Sequence, residues 1–342
     1  MSKNVLSKAR SLQFANSARS LAPGVTVCLL VAMAAVYLSE HYGGPVMLFA
    51  LLLGMALHFL SEEGQRTAEG IQFCAKKILR VGVALLGFRI SIEEIIGLGW
   101  ETAALILGGV VSTIFIGILL AHFAGRSRAF GVLTGGAVAI CGASAALAIS
   151  SVLPQSRKNE TNTLFTVIAV TTLSTIAMVF YPAIGGLFAF DDVQMGIFLG
   201  ATIHDVAQVV GAGYSVSDQA GDTATIVKLL RVALLVPVVV IIAYAFRNDP
   251  SRTSASRLPV PGFAIAFAIF VIIHSIGVLP AGFEEILNSL SRWCLITAIA
   301  ALGILTSLKA LSSVGFRSVA LVTAETVILM GLVIAALLWL MG

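Results

Sequence analysis

The sequence predicts an all-α polytopic membrane protein with about eleven transmembrane helices. Of its 342 residues, 58% are hydrophobic and 11% are charged, and the mean hydropathy is +1.00. Soluble domains carry about 25% charged residues. This shortage of charge excludes a soluble fold, and the net charge of +4 is no nucleic-acid signature. Lysine and arginine in the loops of a membrane protein instead report its orientation.

A transmembrane helix needs about 20 predominantly apolar residues. Residues 1–22 are a basic segment, and the first apolar segment that follows resembles a secretory signal peptide. We expect that segment to be retained because ten more follow it. The predicted spans are 24–39, 44–60, 74–90, 101–124, 129–153, 162–186, 192–214, 222–246, 261–280, 286–308 and 316–341.

The lysines and arginines predict how the chain is oriented. With residues 1–22 in the cytoplasm, the loops on the outer side carry four of the 21 basic residues, namely Arg89, Arg157, Lys158 and Arg292. Basic loops favour the cytoplasmic side. The sequence therefore predicts a multi-pass protein of the bacterial cytoplasmic (inner) membrane with its N-terminus inside and its C-terminus outside.

Two pairs of short matches indicate an internal repeat. LLLGMALH, ending at His58, resembles IFLGATIH, ending at His204, 146 residues later. KILRVGVALL around Arg80 resembles KLLRVALLVP around Arg231, 151 residues later. The unit is five spans, so the second copy is inverted. We expect a first repeat at 44–186, a second at 192–341 and an extra helix at 24–39, an architecture typical of secondary transporters.

The span GVLTGGAVAICGASAALAISSVLP at 131–154 carries glycines and polar residues at mid-depth. We predict that its helix is interrupted near Cys141, Gly142 and Ala143, so that a second half-helix begins at Ser144. The free N–H groups of such a helix end favour an anion. The alternative is close helix packing by small residues, Gly135, Gly136, Ala139 and Ala143. The equivalent span 286–308 has no matching CGAS, and its interruption stays open.

Polar residues inside the spans are functional candidates. His204, Asp205 and Gln208 lie within one helical turn, and His204 and Asp205 suit the exchange of a proton or a cation. The alternative is a structural hydrogen-bond cluster. Glu325 is expected to carry a proton or to pair with an arginine. His58 lacks an acidic neighbour and is expected to be structural.

Three cations complete the predicted site. Arg80, Lys228 and Arg231 would bind an oxyanion together with the half-helix at Ser144, since arginine offers a planar fork of donors. The alternative is that they reach the membrane interfaces or pair with Asp205 and Asp222. The four cysteines have no close spacing, so neither disulfides, a metal site nor any cofactor is predicted.

Several segments carry a family resemblance: GGAVAICGASAALA, YPAIG at 181–185, LLGFRIS, and the long block GATIHDVAQVVGAGYSVSDQAGDTATIVKLLRV. With these the chain resembles the YeiH-type family of bacterial inner-membrane proteins, to which sulfate export has been ascribed. The resemblance runs from about residue 25 to the C-terminus. It is similar in pattern to the bile-acid symporter and sodium/proton antiporter folds, and so implies two interrupted helices that cross.

The predicted function is secondary transport of a small anion, such as sulfate, sulfite or an organosulfonate, by alternating access with proton or sodium coupling. No nucleotide-binding P-loop is present in the sequence. One alternative is a cation/proton antiporter, and another is a membrane-embedded enzyme using Cys141 or the pair His204 and Asp205. No HExxH motif supports an enzyme, and short loops argue against a sensor. The sequence does not determine which substrate is transported, in which direction it is transported, or whether the protein forms a homodimer.

Overall fold

Helices make up the part of the chain that the structure, a computed structural model, describes: residues 3–62, 64–154, 157–247, 262–277, 279–306 and 316–341. A π-helical turn at Cys74–Ile78 joins the third helix to the fourth. The sixteen α-helices of the described residues are α1 Lys3–Tyr42, α2 Val46–Ala56, α3 Ala68–Phe73, α4 Leu79–Leu85, α5 Ile92–Gly97, α6 Gly99–Phe123, α7 Arg128–Ala139, α8 Ala143–Ser150, α9 Arg157–Leu187, α10 Asp192–Thr202, α11 Val206–Val216, α12 Asp218–Ala233, α13 Leu235–Ala245, α14 Gly262–Ile276, α15 Ala281–Leu305 and α16 Phe316–Met341.

Six helical segments of the described residues are long and apolar enough to cross a membrane, so the chain is a multi-pass membrane protein. These segments are Arg19–Tyr42, Gly99–Phe123, Arg157–Leu187, Asp218–Ala245, Gly282–Leu305 and Ser318–Trp339. Each coincides with a predicted span. The other five predicted spans consist of shorter helices such as α2 and α14, because turns and interruptions divide them. The first helix begins at Lys3, so α1 also includes most of the predicted N-terminal segment.

The predicted interruption of span 129–153 is confirmed, since α7 ends at Ala139 and α8 begins at Ala143. Gly142 lies between them with φ at +59°, a conformation that residues with a Cβ rarely adopt. A second interruption separates α10 from α11 at residues 203–205. In contrast, α15 is continuous from Ala281 to Leu305, and the predicted span continues to residue 308, outside the described residues.

Close packing of small residues is also present, but it joins α7 to α6. A Cβ on Gly131 would lie 2.5 Å from the Gly117 carbonyl oxygen, and a Cβ on Gly135 would lie 2.9 Å from the Thr113 carbonyl oxygen. The two backbones therefore approach as glycine-lined membrane helices do. The two explanations for the small residues of this span thus apply to different positions, since Gly131 and Gly135 serve packing and Gly142 serves the interruption.

The helices form two bundles. The first bundle comprises α1 to α4, α14 and α15, in which α15 packs against α2 and α4. The second bundle comprises α6 to α12 and α16, in which α10 and α11 pack on α12, and α7 packs on α6. The bundles meet chiefly where α11 lies against α2 and α15. Both interrupted helices belong to the second bundle.

We expect Gly131→Ala to lower the free energy of unfolding by about 1–3 kcal/mol, because its methyl group has no room against the α6 backbone. Gly108→Ala is the matched control, since a Cβ on that glycine of α6 meets nothing within 4 Å. Thermal unfolding of both variants in detergent measures the difference. Equal stability of the two variants would contradict the close α6–α7 contact.

Candidate functional site

The two interruptions lie against each other. A Cβ built on Gly142 would be 3.5 Å from the Cβ of His204, so the turn after α7 touches the turn after α10. At this place the last carbonyls of two helices and the first N–H groups of two others are left without intrahelical partners. Such groups are costly inside a membrane unless the protein satisfies them.

Lys228 satisfies carbonyls from both interrupted helices. This residue of α12 is fully buried, and its Nζ donates to the carbonyl oxygens of Ile140 at 2.7 Å and Ile203 at 2.8 Å. One ammonium group therefore holds the end of α7 to the end of α10. It also opposes the negative ends of both helix dipoles.

Arg231 lies one helical turn further along α12 and serves the same two helix ends. Its Nε donates to the Ala139 carbonyl at 2.9 Å, and Nη2 donates to the carbonyls of Val138 and Ala139. On the other branch, Nη1 donates to the carbonyls of Gly200 and Ile203. The planar guanidinium thus spans both helix ends with its fork of donors.

The N-termini of α8 and α11, which meet at the interruptions, differ in their capping residues. Asp205 is the N-cap of α11, and its Oδ1 accepts from the N–H of Ala207 at 3.3 Å. The N-cap of α8 is Gly142, which has no side chain to accept a hydrogen bond, and the first turn of α8 contains no acidic residue. A carboxylate therefore offsets the positive end of α11, whereas the positive end of α8 has no such group.

The start of α8 is also accessible. Ser144 is exposed and Ala143 is partly exposed, while Cys141 and Gly142 are buried behind them. Asp205 is partly exposed as well. The exposed Ser144 hydroxyl lies beside the first N–H groups of α8, and a helix start of this kind can bind hydrogen-bond acceptors, in keeping with the predicted role of this segment.

Arg80 is separate from the two buried cations. It is exposed on α4 in the first bundle, where its guanidinium lies 6.0 Å from the centroid of the Phe263 ring. It is also close enough to Asp205 for the two charges to interact. Arg80 therefore belongs to the first bundle, whereas Lys228 and Arg231 lie within the second bundle.

The predicted polar cluster is divided between two helix faces. His204 is fully buried, and its Nε2 lies 3.0 Å from the hydroxyl of Thr326 on α16. The Gln208 amide nitrogen lies 3.5 Å from the hydroxyl of Thr175, and its side-chain oxygen has no hydrogen-bond partner among the described residues. The cluster therefore links α10 and α11 to α9 and α16.

Glu325 has a fully buried carboxyl group and is adjacent in sequence to Thr326. Its Oε1 accepts a 2.8 Å hydrogen bond from the Thr134 hydroxyl of α7, and its Oε2 has no partner among the described residues. The salt bridges of the described residues do not include an arginine partner for it. The Nδ1 of His58 donates to the Ile304 carbonyl oxygen at 2.8 Å.

The second interruption has a sequence signal that the spacing analysis missed. Asp205-Val206-Ala207-Gln208 has the aspartate-x-x-glutamine pattern that often begins a helix. Ionisable function within a continuous span explains the same residues without a helix end, so the pattern alone does not predict the interruption. The polar residues at mid-depth also mark the first turn of α11.

Comparison with known proteins places the chain in a family. A family model described as conserved hypothetical protein 698 matches residues 23–322. The chain belongs to this family. The match includes both interruptions and ends within α16, before Glu325 and Thr326, and the predicted family resemblance is confirmed.

Members of the family are named as membrane proteins. A UPF0324 membrane protein of Chlorobaculum tepidum is 54% identical over 319 residues, which cover 93% of this chain and 89% of the relative. The UPF0324 membrane protein TauZ of Paracoccus denitrificans is 52% identical over 310 residues, with 90% and 92% covered. These relatives of the family carry no enzyme's name.

We expect Arg231→Met to lower the free energy of unfolding by roughly 3–5 kcal/mol, because it leaves carbonyl ends of α7 and α10 buried without donors. Arg231→Lys should lose less stability, since lysine keeps the positive charge and a group that can donate to some of these carbonyls. Arg128→Met, at an exposed position where α7 begins, is the control. Thermal unfolding in detergent gives the ranking, and equal losses at the two arginines would contradict the structural role of Arg231.

Proposed function

We propose that the protein is a secondary transporter of a small anion such as sulfate, sulfite or an organosulfonate. The substrate would bind where α8 begins and would cross by alternating access of the two bundles. No enzyme activity and no cofactor are part of this proposal. The proposed partners are the anion, the lipid bilayer and a coupling ion. A homodimer is compatible with this proposal.

The charge balance around the two interruptions carries this proposal. Lys228 and Arg231 offset both C-terminal helix ends, and Asp205 offsets the N-terminus of α11. The N-terminus of α8 remains without an acidic group, and Ser144 exposes a hydroxyl there. An anion is the charge that this helix end favours. Arg80 supplies a cation from the opposite bundle.

This assignment divides the predicted substrate-binding residues into two roles. Ser144, Ala143 and Arg80 are proposed to meet the anion directly. Cys141, Gly142, Lys228 and Arg231 are proposed to shape and hold the site, because they are buried and the two cations bind backbone carbonyls.

Eleven crossings and an inverted repeat are part of the same proposal. Under that topology the helix ends near Ser39, Arg89, Val216 and Arg292 all lie on the outer face, and these residues line one cavity. His58 follows α2 and contacts Ile304 in the last turn of α15, much as His204 follows α10 and lies against Gly142 after α7. Both observations support two related halves in an inner-membrane protein with its N-terminus inside.

Glu325 and Asp205 are the proposed coupling groups. Both are carboxyl groups of the second bundle at the interrupted helices, and Glu325 has one oxygen without a partner among the described residues. His204 would connect the end of α10 to α16 through Thr326, next to Glu325. Gln208 would connect α11 to α9 through Thr175. These two carboxyl groups also keep cation/proton antiport as a second candidate.

The anion proposal predicts that sulfate or a short sulfonate raises the melting temperature of the purified protein as its concentration rises. A ligand present at a free concentration of 100 times its Kd adds about 2.7 kcal/mol to the free energy of unfolding. Arg80→Gln should weaken binding about tenfold to a hundredfold, because a hydrogen bond to a charged group contributes about 1.5–3 kcal/mol. Ser144→Ala should weaken it less.

Arg128→Gln is the control for that experiment, since it removes an exposed cation away from the interruptions. Chloride at equal ionic strength controls for screening. The anion proposal fails if chloride gives the same shift, or if Arg80→Gln and Arg128→Gln bind alike. A shift caused by sodium alone, and lost in Asp205→Asn, would favour the antiporter.

Glu325→Gln tests the coupling role, because it keeps the shape of the side chain and removes its proton exchange. We expect the variant to bind the anion as the native protein does, but to lose at least tenfold of the proton-driven uptake into proteoliposomes. Glu160→Gln, at an exposed position of α9, should change neither quantity. Unaltered proton-driven transport in Glu325→Gln would remove Glu325 from the coupling path.

A further inference from the structure

The polar cavity lined by Ser39, Arg89, Val216 and Arg292 lies between the two bundles, away from the interruptions. Its volume is about 240 Å³, below the roughly 300–1,000 Å³ of sites that hold drug-sized ligands. The first bundle contributes the end of α1, the first half of α15 and the start of α2, and the second bundle contributes the end of α11 and the start of α12. A ligand there would touch both bundles at once.

Two arginines lie on the wall of this cavity. Arg89 follows α4 and forms ion pairs with Asp222 at 3.1 Å and Asp218 at 3.5 Å. Arg292 of α15 is exposed and has no carboxylate within 4 Å among the described residues. One guanidinium is thus already paired across the bundles, and the other is free to bind an anion.

The cavity has further polar groups beside the arginines. Asn288 lies one turn before Arg292, and its side-chain oxygen is buried without a partner among the described residues. Its amide can present either a donor or an acceptor. Tyr214 donates its hydroxyl to Asp222 and so fixes the acidic partner of Arg89.

The inner part of the cavity is apolar. Met47, Leu86 and Leu295 line it, and all three are buried, with Leu295 1% exposed. A fully hydrated inorganic ion gains nothing from such side chains, whereas a short alkyl group removes apolar surface from water there. Asp218 also lines the cavity and pairs with Arg89, so Arg292 is the arginine of the rim that has no carboxylate partner among the described residues. An arginine without a carboxylate partner, above an apolar floor, suits a small anion with an aliphatic body.

We propose that this cavity is a binding site for short-chain organic sulfonates, held at the anionic head by Arg292 and Arg89 and at the alkyl chain by the apolar floor. The inference rests on the proposed function in taking anions as substrates, and it names the organic class among them. On this proposal the ion pairs of Arg89 with Asp218 and Asp222 join the two bundles, and the anionic head of the ligand competes with these carboxylates for Arg89.

Isothermal titration of the full-length protein in detergent with methane-, ethane- and propanesulfonate tests the proposal, with sulfate as the tetrahedral anion lacking an alkyl chain. We expect affinity to rise about fourfold with each added methylene group and sulfate to bind more weakly than propanesulfonate. Arg292→Gln should weaken all three sulfonates about tenfold or more. Arg157→Gln, another exposed cation, should leave them unchanged.

The same series in Arg80→Gln separates this cavity from the site at α8. The cavity is supported if the dependence on chain length survives Arg80→Gln and if Arg292→Gln weakens all three sulfonates about tenfold or more. Equal affinity for sulfate and all sulfonates, or unchanged binding in Arg292→Gln, overturns the inference and leaves the proposed function standing if Arg80→Gln abolishes binding. Absence of saturable binding by every anion in the native protein overturns both.

Discussion

The arrangement of the second bundle depends on two buried cations that face the ends of two interrupted helices. Lys228 and Arg231 donate to carbonyls of both α7 and α10, so they hold together backbone ends that a membrane interior would otherwise disfavour. With the C-terminal ends offset by cations, the electrostatics of the centre are decided by the two N-terminal ends. Asp205 occupies one of these, whereas the start of α8 has no acidic residue, which is the basis for the proposed anion site.

This view gives the residues of one sequence block separate tasks. In α12, two cations one turn apart stabilise the interruptions, and the acidic residues at its start form ion pairs with Arg89 of the first bundle. The same helix therefore joins the central site to the contact between bundles. A movement between bundles that breaks the Arg89 pairs could proceed while the cations keep α7, α10 and α12 together. Such a division suits a carrier in which one bundle moves against the other.

Composition and apolar segment length were sufficient for the helical membrane fold, and the glycine-rich CGAS segment predicted its interruption correctly. The second interruption escaped because the repeat placed it in 286–308, while the capping pattern at Asp205 was interpreted only as ionisable chemistry. Sequence could place Lys228 and Arg231 near the start of span 222–246, but could not identify their partners. Backbone carbonyls become available only where a distant helix ends, as α7 does 92 residues before Arg231. The exposure of Ser144 likewise depends on packing between helices that are remote in sequence.

The most direct test of the central claim is an experimental structure of the protein with selenate, an electron-dense analogue of sulfate whose anomalous signal locates it. The account predicts a peak at the start of α8, within hydrogen-bond distance of Ser144 and its neighbouring N–H groups, with Lys228 and Arg231 still bound to the carbonyls of α7 and α10. A selenate bound directly by Lys228 or Arg231, with those carbonyl contacts broken, would contradict it. An uninterrupted helix through residues 139–143 would contradict it as well.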